Sequence, residues 1–198
     1  EILSEKFANE IKNKKLILIQ KDILDINPSD YDLKEYDYKI IANIPYNITG
    51  AIIKKFLSET IQPERMVLLV QKEVAERIVA RDSKESILSL SVRAYGIPAY
   101  MMKVGKRFFS PSPKVDSAII AINKISKDNF KKEISEEKFF QVIKAGFAHK
   151  RKVLRKNLED LNIGQEKIDK TFEKLGLSPK TRAEDVPFST WLELVRNL

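Results

Sequence analysis

The turn Asn43-Ile44-Pro45-Tyr46 contains the residue types best suited to chemistry in this sequence. The side-chain oxygen of Asn43 and the carbonyl before Pro45 are two acceptors held close together, and an exocyclic nucleobase amine offers two N–H donors. Accepting both hydrogens would localise the nitrogen lone pair and direct it at an electrophile. Tyr46 could stack on the base, a contact worth roughly 1–3 kcal/mol. The alternative is that these residues only end a strand, where Asn, Pro and aromatic residues are common.

The residues around this turn indicate where it lies in the fold. The apolar residues 40–42 precede it and predict a strand buried on both faces of a mostly parallel sheet. Pro45 cannot donate to a sheet ladder, so the strand should stop at Asn43. Ile52, Ile53 and Phe56 then predict a helix with one apolar face. The turn is therefore expected at the carboxyl end of a strand, where open α/β sheets bind ligands.

Asp22 is a second candidate site residue. Residues 16–19 predict a strand that ends just before it, and residues 1–13 predict an amphipathic helix. In a parallel sheet Asp22 and Asn43 would face the same crevice, where Asp22 could accept a hydrogen bond from a ligand amino group. Asp22 is equally suited to cap a helix that begins at Ile23. The local sequence leaves both roles open.

The remaining periodicity predicts two domains. After residue 124 the β-branched runs end, and residues 135–198 predict several short helices. We therefore expect an α/β domain at residues 1–125 and a helical domain at residues 126–198. Within the first domain the sequence predicts strands at 66–70, 100–104 and 118–122, a helix at 71–80, and either structure at 86–94.

The connection formed by residues 105–117, GKRFFSPSPKVDS, has a second unusual composition. Two prolines stiffen it, and two adjacent aromatic residues precede them. Exposed aromatic rings flanked by cations are suited to stack on flipped bases and to contact phosphates. We expect Phe108 to lie in the core and Phe109 to stack. The cations of this connection are Lys106, Arg107 and Lys114.

Residues 144–158 carry a run of positive charge with no acidic residue. Such a run is often only a solvated face, but within a basic chain it favours phosphate binding. His149 is the single histidine of a chain without cysteine, so a transition-metal site is not expected. The cations of this run are Lys144, Lys150, Arg151, Lys152, Arg155 and Lys156.

Composition supports a polyanionic partner. The 198 residues include 36 Lys and Arg against 28 Asp and Glu, a net charge of +8. Nucleic acid is favoured over a membrane, because no segment approaches the roughly 20 apolar residues that a bilayer span needs. The absence of cysteine excludes disulfides and fits a reducing cytoplasm.

Taken together, these segments resemble a known family. The Asn43 turn, QKEVAERIVA at 71–80, FFSPSPKVDSA at 108–118, FAHKRKVLRKNL at 147–158 and RAEDVPF at 182–188 are similar to segments of the ribosomal RNA adenine dimethyltransferases, in the same order. The likeness is greatest to the bacterial KsgA (RsmA) branch, which acts on small-subunit rRNA. It extends over nearly the whole chain.

The resemblance implies an α/β fold, a Rossmann-like class I methyltransferase sheet followed by a small all-helical domain. It also implies transfer of methyl groups from S-adenosylmethionine to N6 of two adjacent adenosines near the 3′ end of 16S rRNA. By position, Asn43 and the Ile44 carbonyl would orient the target amine, and Tyr46 and Phe109 would hold the adenine. Asp22 would bind the adenine of the cofactor, and Asn43 would lie beside its methionine part. A metal is not implied, and the expected partner of a monomeric cytoplasmic enzyme is the 30S pre-ribosomal subunit.

The sequence departs from this family in one respect. Such enzymes have a Gly-rich turn after their first strand and an acidic residue after the second. Here the first glycine is Gly50. We therefore expect this chain to be a fragment, with a gap in the sheet between residues 16–19 and 40–42, and to bind the cofactor poorly.

Two rival functions remain. The nearer is a macrolide-resistance methyltransferase of large-subunit rRNA, whose Asn-x-Pro-Tyr and Phe-x-Pro-x-Pro motifs look alike; KRKVLRKNL and RAED favour the small-subunit enzyme. The other is a non-catalytic ribosome-assembly or nucleic-acid-binding factor. The intact Asn43, Pro45 and Tyr46 count against this second rival.

Overall fold

A computed structural model describes residues 1–130 and 133–198 of the chain; residues 131 and 132, in the predicted helical domain, lie outside the described part. The described part contains a four-stranded sheet of order β1-β2-β4-β3. Strands β1 and β2 are parallel, and β4 is antiparallel to both β2 and β3. The strands are β1 (Lys39–Asn43), β2 (Arg65–Gln71), β3 (Ile97–Val104) and β4 (Ser117–Asn123).

Helices cover the sheet and continue beyond it. Five precede β3: α1 (Ile2–Lys6), α2 (Ala8–Lys12), α3 (Thr49–Ser58), α4 (Lys72–Ile78) and α5 (Ile87–Arg93). Four follow β4: α6 (Glu136–Gly146), α7 (Leu154–Leu158), α8 (Gln165–Lys174) and α9 (Phe188–Asn197). Short 3-10 turns lie at Ile23–Asp25, Pro28–Tyr31, Tyr46–Ile48, Lys106–Phe108, Asp128–Phe130, Glu159–Leu161 and Ala183–Asp185.

The central strands account for most of the sheet core. Met66, Leu68 and Val70 of β2 are fully buried, as are Ile120 and Ile122 of β4. Each of these strands pairs on both edges, so the backbone polar groups are satisfied while the apolar side chains leave water. The predictions of strands at 66–70 and 118–122 are confirmed, with one residue added to each end.

β1 differs from its prediction. The strand forms, but Ile41 is 80% exposed, and Ile40 and Ala42 are only partly buried. Within the described residues β1 pairs with β2 alone, so one of its edges and part of one face have no neighbour. The expectation of a strand buried on both faces is wrong for this reason, and so is that of a mostly parallel sheet, since only one pair is parallel.

Residues 16–19 do not form the predicted strand. A strand is stable through pairing with a neighbour, and no described strand lies next to this segment. Ile17, Leu18 and Ile19 are consequently exposed. The helix predicted for residues 1–13 is interrupted at Phe7 into α1 and α2, neither of which contains a buried residue.

Residues 86–94, which the sequence left undecided, form a helix because of its N-terminal cap. The Ser86 hydroxyl accepts from the Ser89 backbone N–H at 3.1 Å, and the Ser89 hydroxyl accepts from the Ser86 N–H at 2.7 Å. This reciprocal capping box satisfies two donors that would otherwise be unpaired at the start of α5.

The helical part forms its own tight core and joins that of the sheet. Trp191 and Phe139 are fully buried, and Gly146 permits the close packing of Trp191 against the end of α6. A cluster of aromatic rings that includes Tyr95, Phe130 and Phe139 connects this core to the sheet. The buried side chains form one contiguous cluster, and the domain boundary near residue 125 stays a prediction.

Candidate functional site

The turn after β1 presents Asn43 to solvent. Asn43 is the last residue of β1, and its side chain forms no hydrogen bond with any residue that the structure describes. Ile44 is buried and anchors the turn in the core. Pro45 then leads into a 3-10 turn in which the Ile48 N–H donates to the Pro45 carbonyl at 3.2 Å. The Asn43 amide oxygen is therefore available to a ligand at a fixed position.

Tyr46 is held by a residue from another part of the chain. Its hydroxyl lies 2.6 Å from the hydroxyl of Ser117, which is fully buried at the start of β4. Because Ser117 pairs with Gln71 at the end of β2, the Tyr46 side chain reaches from the β1 turn across the end of β2. The ring is partly exposed and fixed in orientation.

Ser117 is a site residue that the sequence analysis missed. A usable signal was present: a hydroxyl residue placed directly before a fully apolar strand must find a partner once it is buried. The identity of that partner required the strand order.

Asp116 organises residues 105–117, here called the aromatic loop. Its carboxylate accepts from the backbone N–H of Lys106 at 2.9 Å and pairs with Lys103 Nζ at 2.8 Å. Its backbone carbonyl accepts from the Lys72 N–H at the start of α4. The hydrogen bond from Lys103 and that from the Lys106 N–H lower the pKa of Asp116. The base of the loop is thereby closed.

The two phenylalanines of the aromatic loop differ in exposure. Phe109 is partly buried, whereas Phe108 is 71% exposed, with the Arg107 guanidinium 5.0 Å from its ring centroid. The expectation that Phe108 lies in the core is wrong, because a 3-10 turn at the loop tip directs its ring to solvent. Lys106 and Lys114 are also exposed.

Asp22 caps a turn, one of its two predicted roles. Its Oδ1 accepts from the Leu24 N–H at 2.9 Å, at the start of the 3-10 turn Ile23–Asp25. The side chain is exposed, and its second oxygen has no hydrogen-bond partner in the described ranges. Its contact with a cofactor stays a prediction, and the absence of a strand at 16–19 removes the argument from neighbouring strand ends.

Residues 147–153, here called the cationic loop, join α6 to α7. The buried Asn157 side chain donates to the carbonyls of Gly146 at 2.6 Å and His149 at 3.2 Å, and so fastens the loop to α7. Phe147 stacks on Trp191 with ring centroids 5.6 Å apart. The side chains of Lys150, Arg151 and Lys152 are exposed and form no ion pair with any described residue.

Arg155 differs from these three cations. Its Nε and Nη2 donate to the two carboxylate oxygens of Asp169 at 2.5 and 2.8 Å, and its Nη1 lies 3.3 Å from Glu159. The Asp169 carboxylate raises the pKa of Arg155, and the guanidinium in turn lowers the pKa of Asp169. Arg155 therefore braces α7 against α8, and its hydrogen-bonding fork is occupied.

A cleft of about 1640 Å³ lies between helices α3, α4 and α5 on one side and α6 with the cationic loop on the other. Gly50, in the first turn of α3, lines it on one side, and Lys150 and Lys152 line it on the other. The Asn43 turn is a separate feature, because residues 43–46 and Phe109 are not among the described residues that line this cleft. Further cations in its lining without an ion pair in the described part are Lys54, Arg77 and Lys144.

Residues 1–130 and 133–198 contain neither a metal-binding cluster nor a membrane-spanning helix. No group of three or more His, Cys, Asp or Glu side chains is placed to hold a metal ion. No helix among these residues has the length and apolar character needed to cross a membrane.

Comparison with protein families decides the assignment. Residues 1–198 match the family described as ribosomal RNA adenine dimethylase. This chain belongs to the ribosomal RNA adenine dimethylase family. The resemblance drawn from the sequence segments is confirmed, and so is the prediction that the chain belongs to a family of methyltransferases.

Relatives of this chain carry a more specific name. "Ribosomal RNA small subunit methyltransferase A" of Fusobacterium nucleatum is 36% identical over 98% of the chain, and that of Dehalococcoides mccartyi strain CBDB1 is 38% identical over 98%. The protein of the same name from a Nostoc species is 34% identical over 99%. The chain spans 72%, 66% and 76% of the lengths of these three proteins.

Solved structures confirm the fold of this chain. The crystal structure of the 23S rRNA methyltransferase ErmE superposes with a TM-score of 0.72 at 20% identity, over 99% of this chain and 76% of that one. A dimethyladenosine transferase from Plasmodium falciparum superposes with a TM-score of 0.67 at 24% identity, over 79% and 65%. At these identities the likeness establishes the Rossmann-like methyltransferase fold alone.

Proposed function

We propose that this chain provides the adenine-binding and rRNA-binding parts of a methyltransferase of small-subunit rRNA. The enzyme uses S-adenosylmethionine to dimethylate N6 of two adjacent adenosines in the 3′-terminal loop of 16S rRNA during ribosome biogenesis. The names and identities of the relatives support the substrate. The observation that carries the proposal is the unpaired Asn43 amide beside a tyrosine ring fixed by Ser117.

Positioning of the target amine is the main contribution of the turn. The Asn43 amide oxygen and the Ile44 carbonyl accept the two hydrogens of the adenine amino group, which leaves the nitrogen lone pair free to attack. Pro45 stiffens the backbone directly after the Ile44 carbonyl. Tyr46 and Phe109 hold the adenine ring by stacking. In this in-line displacement the N–C bond would form as the C–S bond of the sulfonium breaks. The thioether would leave and the amine would lose one proton to water, without a covalent enzyme intermediate.

The residues present fit a methyl donor in chemical type. S-adenosylmethionine supplies an electrophilic methyl group on a positively charged sulfur. The unpaired carboxylate oxygen of Asp22 can accept a hydrogen bond from an amino group of an adenine. Asn43, at the end of β1, would lie beside the methionine part of the donor. No metal takes part in this proposal.

Phosphate contacts come from two surfaces. Lys106, Arg107 and Lys114 belong to the aromatic loop, next to the target base. Lys150, Arg151 and Lys152 are exposed on the cationic loop, and Lys150 and Lys152 line the cleft. Arg155 is not part of this set, because its fork binds Asp169. The partner is the 30S pre-ribosomal subunit, and the enzyme acts as a cytoplasmic monomer.

The exchange of Asn43 for Ala tests this proposal. In the protein as its gene encodes it, N43A should reduce methyl transfer to 30S subunits by at least about 100-fold and leave the RNA affinity within about twofold, because the amide acts on the reacting nitrogen. Transfer is measured with radiolabelled methyl donor, and affinity by filter binding.

The matched control is N47A, which removes a nearby exposed amide of the same kind. It should keep the parental rate. Equal rates for N43A and the parent would contradict the role of Asn43, and preferential methylation of 50S subunits would contradict the small-subunit substrate.

A further inference from the structure

Phe108 is an exposed ring without a role in the proposed function. It is 71% exposed and follows Arg107, whose guanidinium lies 5.0 Å from its centroid. A single exposed apolar side chain is ordinary on a protein surface. A cation placed over such a ring is more specific, because it orients the aromatic face and adds a positive charge beside it.

The backbone under this ring is fixed. The Phe108 N–H donates to the Gly105 carbonyl at 3.1 Å, and the Ser112 hydroxyl donates to the Lys106 carbonyl at 3.1 Å. Together with the bond from the Lys106 N–H to Asp116, these contacts hold both sides of the loop tip. A ring that is ordered before binding loses little conformational entropy when a ligand covers it.

The charge around the ring indicates the kind of ligand. Lys106, Arg107 and Lys114 form no side-chain ion pair with the residues that the structure describes. The nearby carboxylate of Asp116 is already paired with Lys103. A flat ring among unpaired cations suits a nucleotide, which brings both a π-face and a phosphate.

We propose that Phe108 and Arg107 form a stacking platform for the nucleotide that flanks the target adenosine. Phe108 is adjacent to Phe109, so the two rings can serve neighbouring bases when a loop of RNA is unstacked. Arg107 stays against the Phe108 ring and contacts the phosphate of the flanking nucleotide. The proposal rests on the proposed function, since it takes Phe109 as a contact of the target base.

A double-mutant cycle that combines F108A with the removal of single bases from the RNA tests the platform. The probe is a fluorescently labelled RNA hairpin whose loop contains two adjacent adenosines, with a series in which each loop nucleotide in turn is abasic. F108A should bind the intact hairpin about tenfold more weakly than the parent. One abasic position next to the target adenosine should cost the parent about tenfold and F108A nothing further. F108W should restore the affinity.

M101A is the matched control, because Met101 is a similarly exposed apolar residue on β3, 59% accessible. It should bind all hairpins as the parent does, and thermal unfolding should show that each variant is folded. Suppose that the parent prefers the loop over a fully paired duplex, but the loss from F108A simply adds to the loss from every abasic position. This result would overturn the platform and leave the proposed function standing. A parent without that preference would contradict the proposed function, and the platform with it.

Discussion

The aromatic loop and the cationic loop both expose positive charge, but the protein fixes them by different means. The aromatic loop is closed by a carboxylate near the surface, Asp116, which binds Lys103 and the Lys106 N–H. The cationic loop is fastened by the neutral amide of Asn157 and by the stacking of Phe147 on Trp191. Salt and pH should therefore change how firmly the aromatic loop is held. Substitutions that disturb core packing should loosen the cationic loop.

This difference matches the proposed work of each loop. A loop that stacks on individual bases benefits from an anchor that orders its backbone before the bases enter. A loop that contacts phosphates at a distance from the reacting base acts as a fixed support, and a neutral anchor leaves its cations unpaired. Three substitutions test this comparison.

The largest effect is expected for G146A. A Cβ at this position would lie 2.4 Å from Trp191 Cη2 and 2.9 Å from Leu154 Cδ1, both in the core. The indole must shift, which removes the support of Phe147 in the cationic loop. We expect a loss of about 3 kcal/mol in the free energy of unfolding, measured by urea denaturation.

G50A is the matched control for this substitution. Gly50 lies in α3 with no heavy atom within 4 Å of the added Cβ, so alanine should stabilise the protein by about 0.5–1 kcal/mol through helix propensity. An unchanged stability of G146A would mean that the packing at Trp191 does not fix the cationic loop.

A smaller effect is expected for N157A. The substitution leaves the Gly146 and His149 carbonyls without their donor and should cost about 2 kcal/mol of unfolding free energy, at low and at high salt alike. Amide hydrogen exchange should show faster opening of residues 147–153. Unchanged exchange of residues 147–153, or a loss of stability that disappears at high salt, would contradict a neutral anchor. The control N9A, at an exposed site on α2, should change neither the stability nor the exchange.

The two loops also show what the sequence could predict. Their composition indicated binding surfaces, since cations and aromatic residues are recognisable without a fold. The partners of the two anchors were not recognisable, because Asp116 and Asn157 bind groups that only the folded chain brings near. Phe108 and Phe109 are chemically identical neighbours, and the turn at residues 106–108 decides which of them is exposed.

The strands of the sheet were predictable to a similar extent. The apolar runs gave the positions of β2 and β4 and the carboxyl end of β1, so Asn43 was placed correctly at a strand end. Strand order and direction depend on contacts between distant residues, and an apolar run is the same whether or not a neighbour covers it. Ile41 and residues 16–19 were predicted wrongly for this reason.

The smallest effect on stability is expected for D116N, and its signature is a dependence on pH. The partners of Asp116 lower its pKa in the folded protein, so its contribution is present above the unfolded value near about 4 and is lost as the pH falls through the folded value. In the parent, protection of the Lys106 amide against hydrogen exchange, corrected for the intrinsic rate, should therefore decrease as the pH falls through the folded pKa of Asp116. It should also decrease at high salt. D116N, which keeps the size of the side chain and removes its charge, should show weaker protection without that pH step.

D160N, at an exposed site without a hydrogen bond to the described residues, should follow the parent. Identical pH profiles for D116N and the parent would show that the carboxylate does not close the aromatic loop. The orientation of Phe108 would then depend on the Arg107 contact and the 3-10 turn alone, and the contrast between a charged and a neutral anchor would no longer separate the two loops.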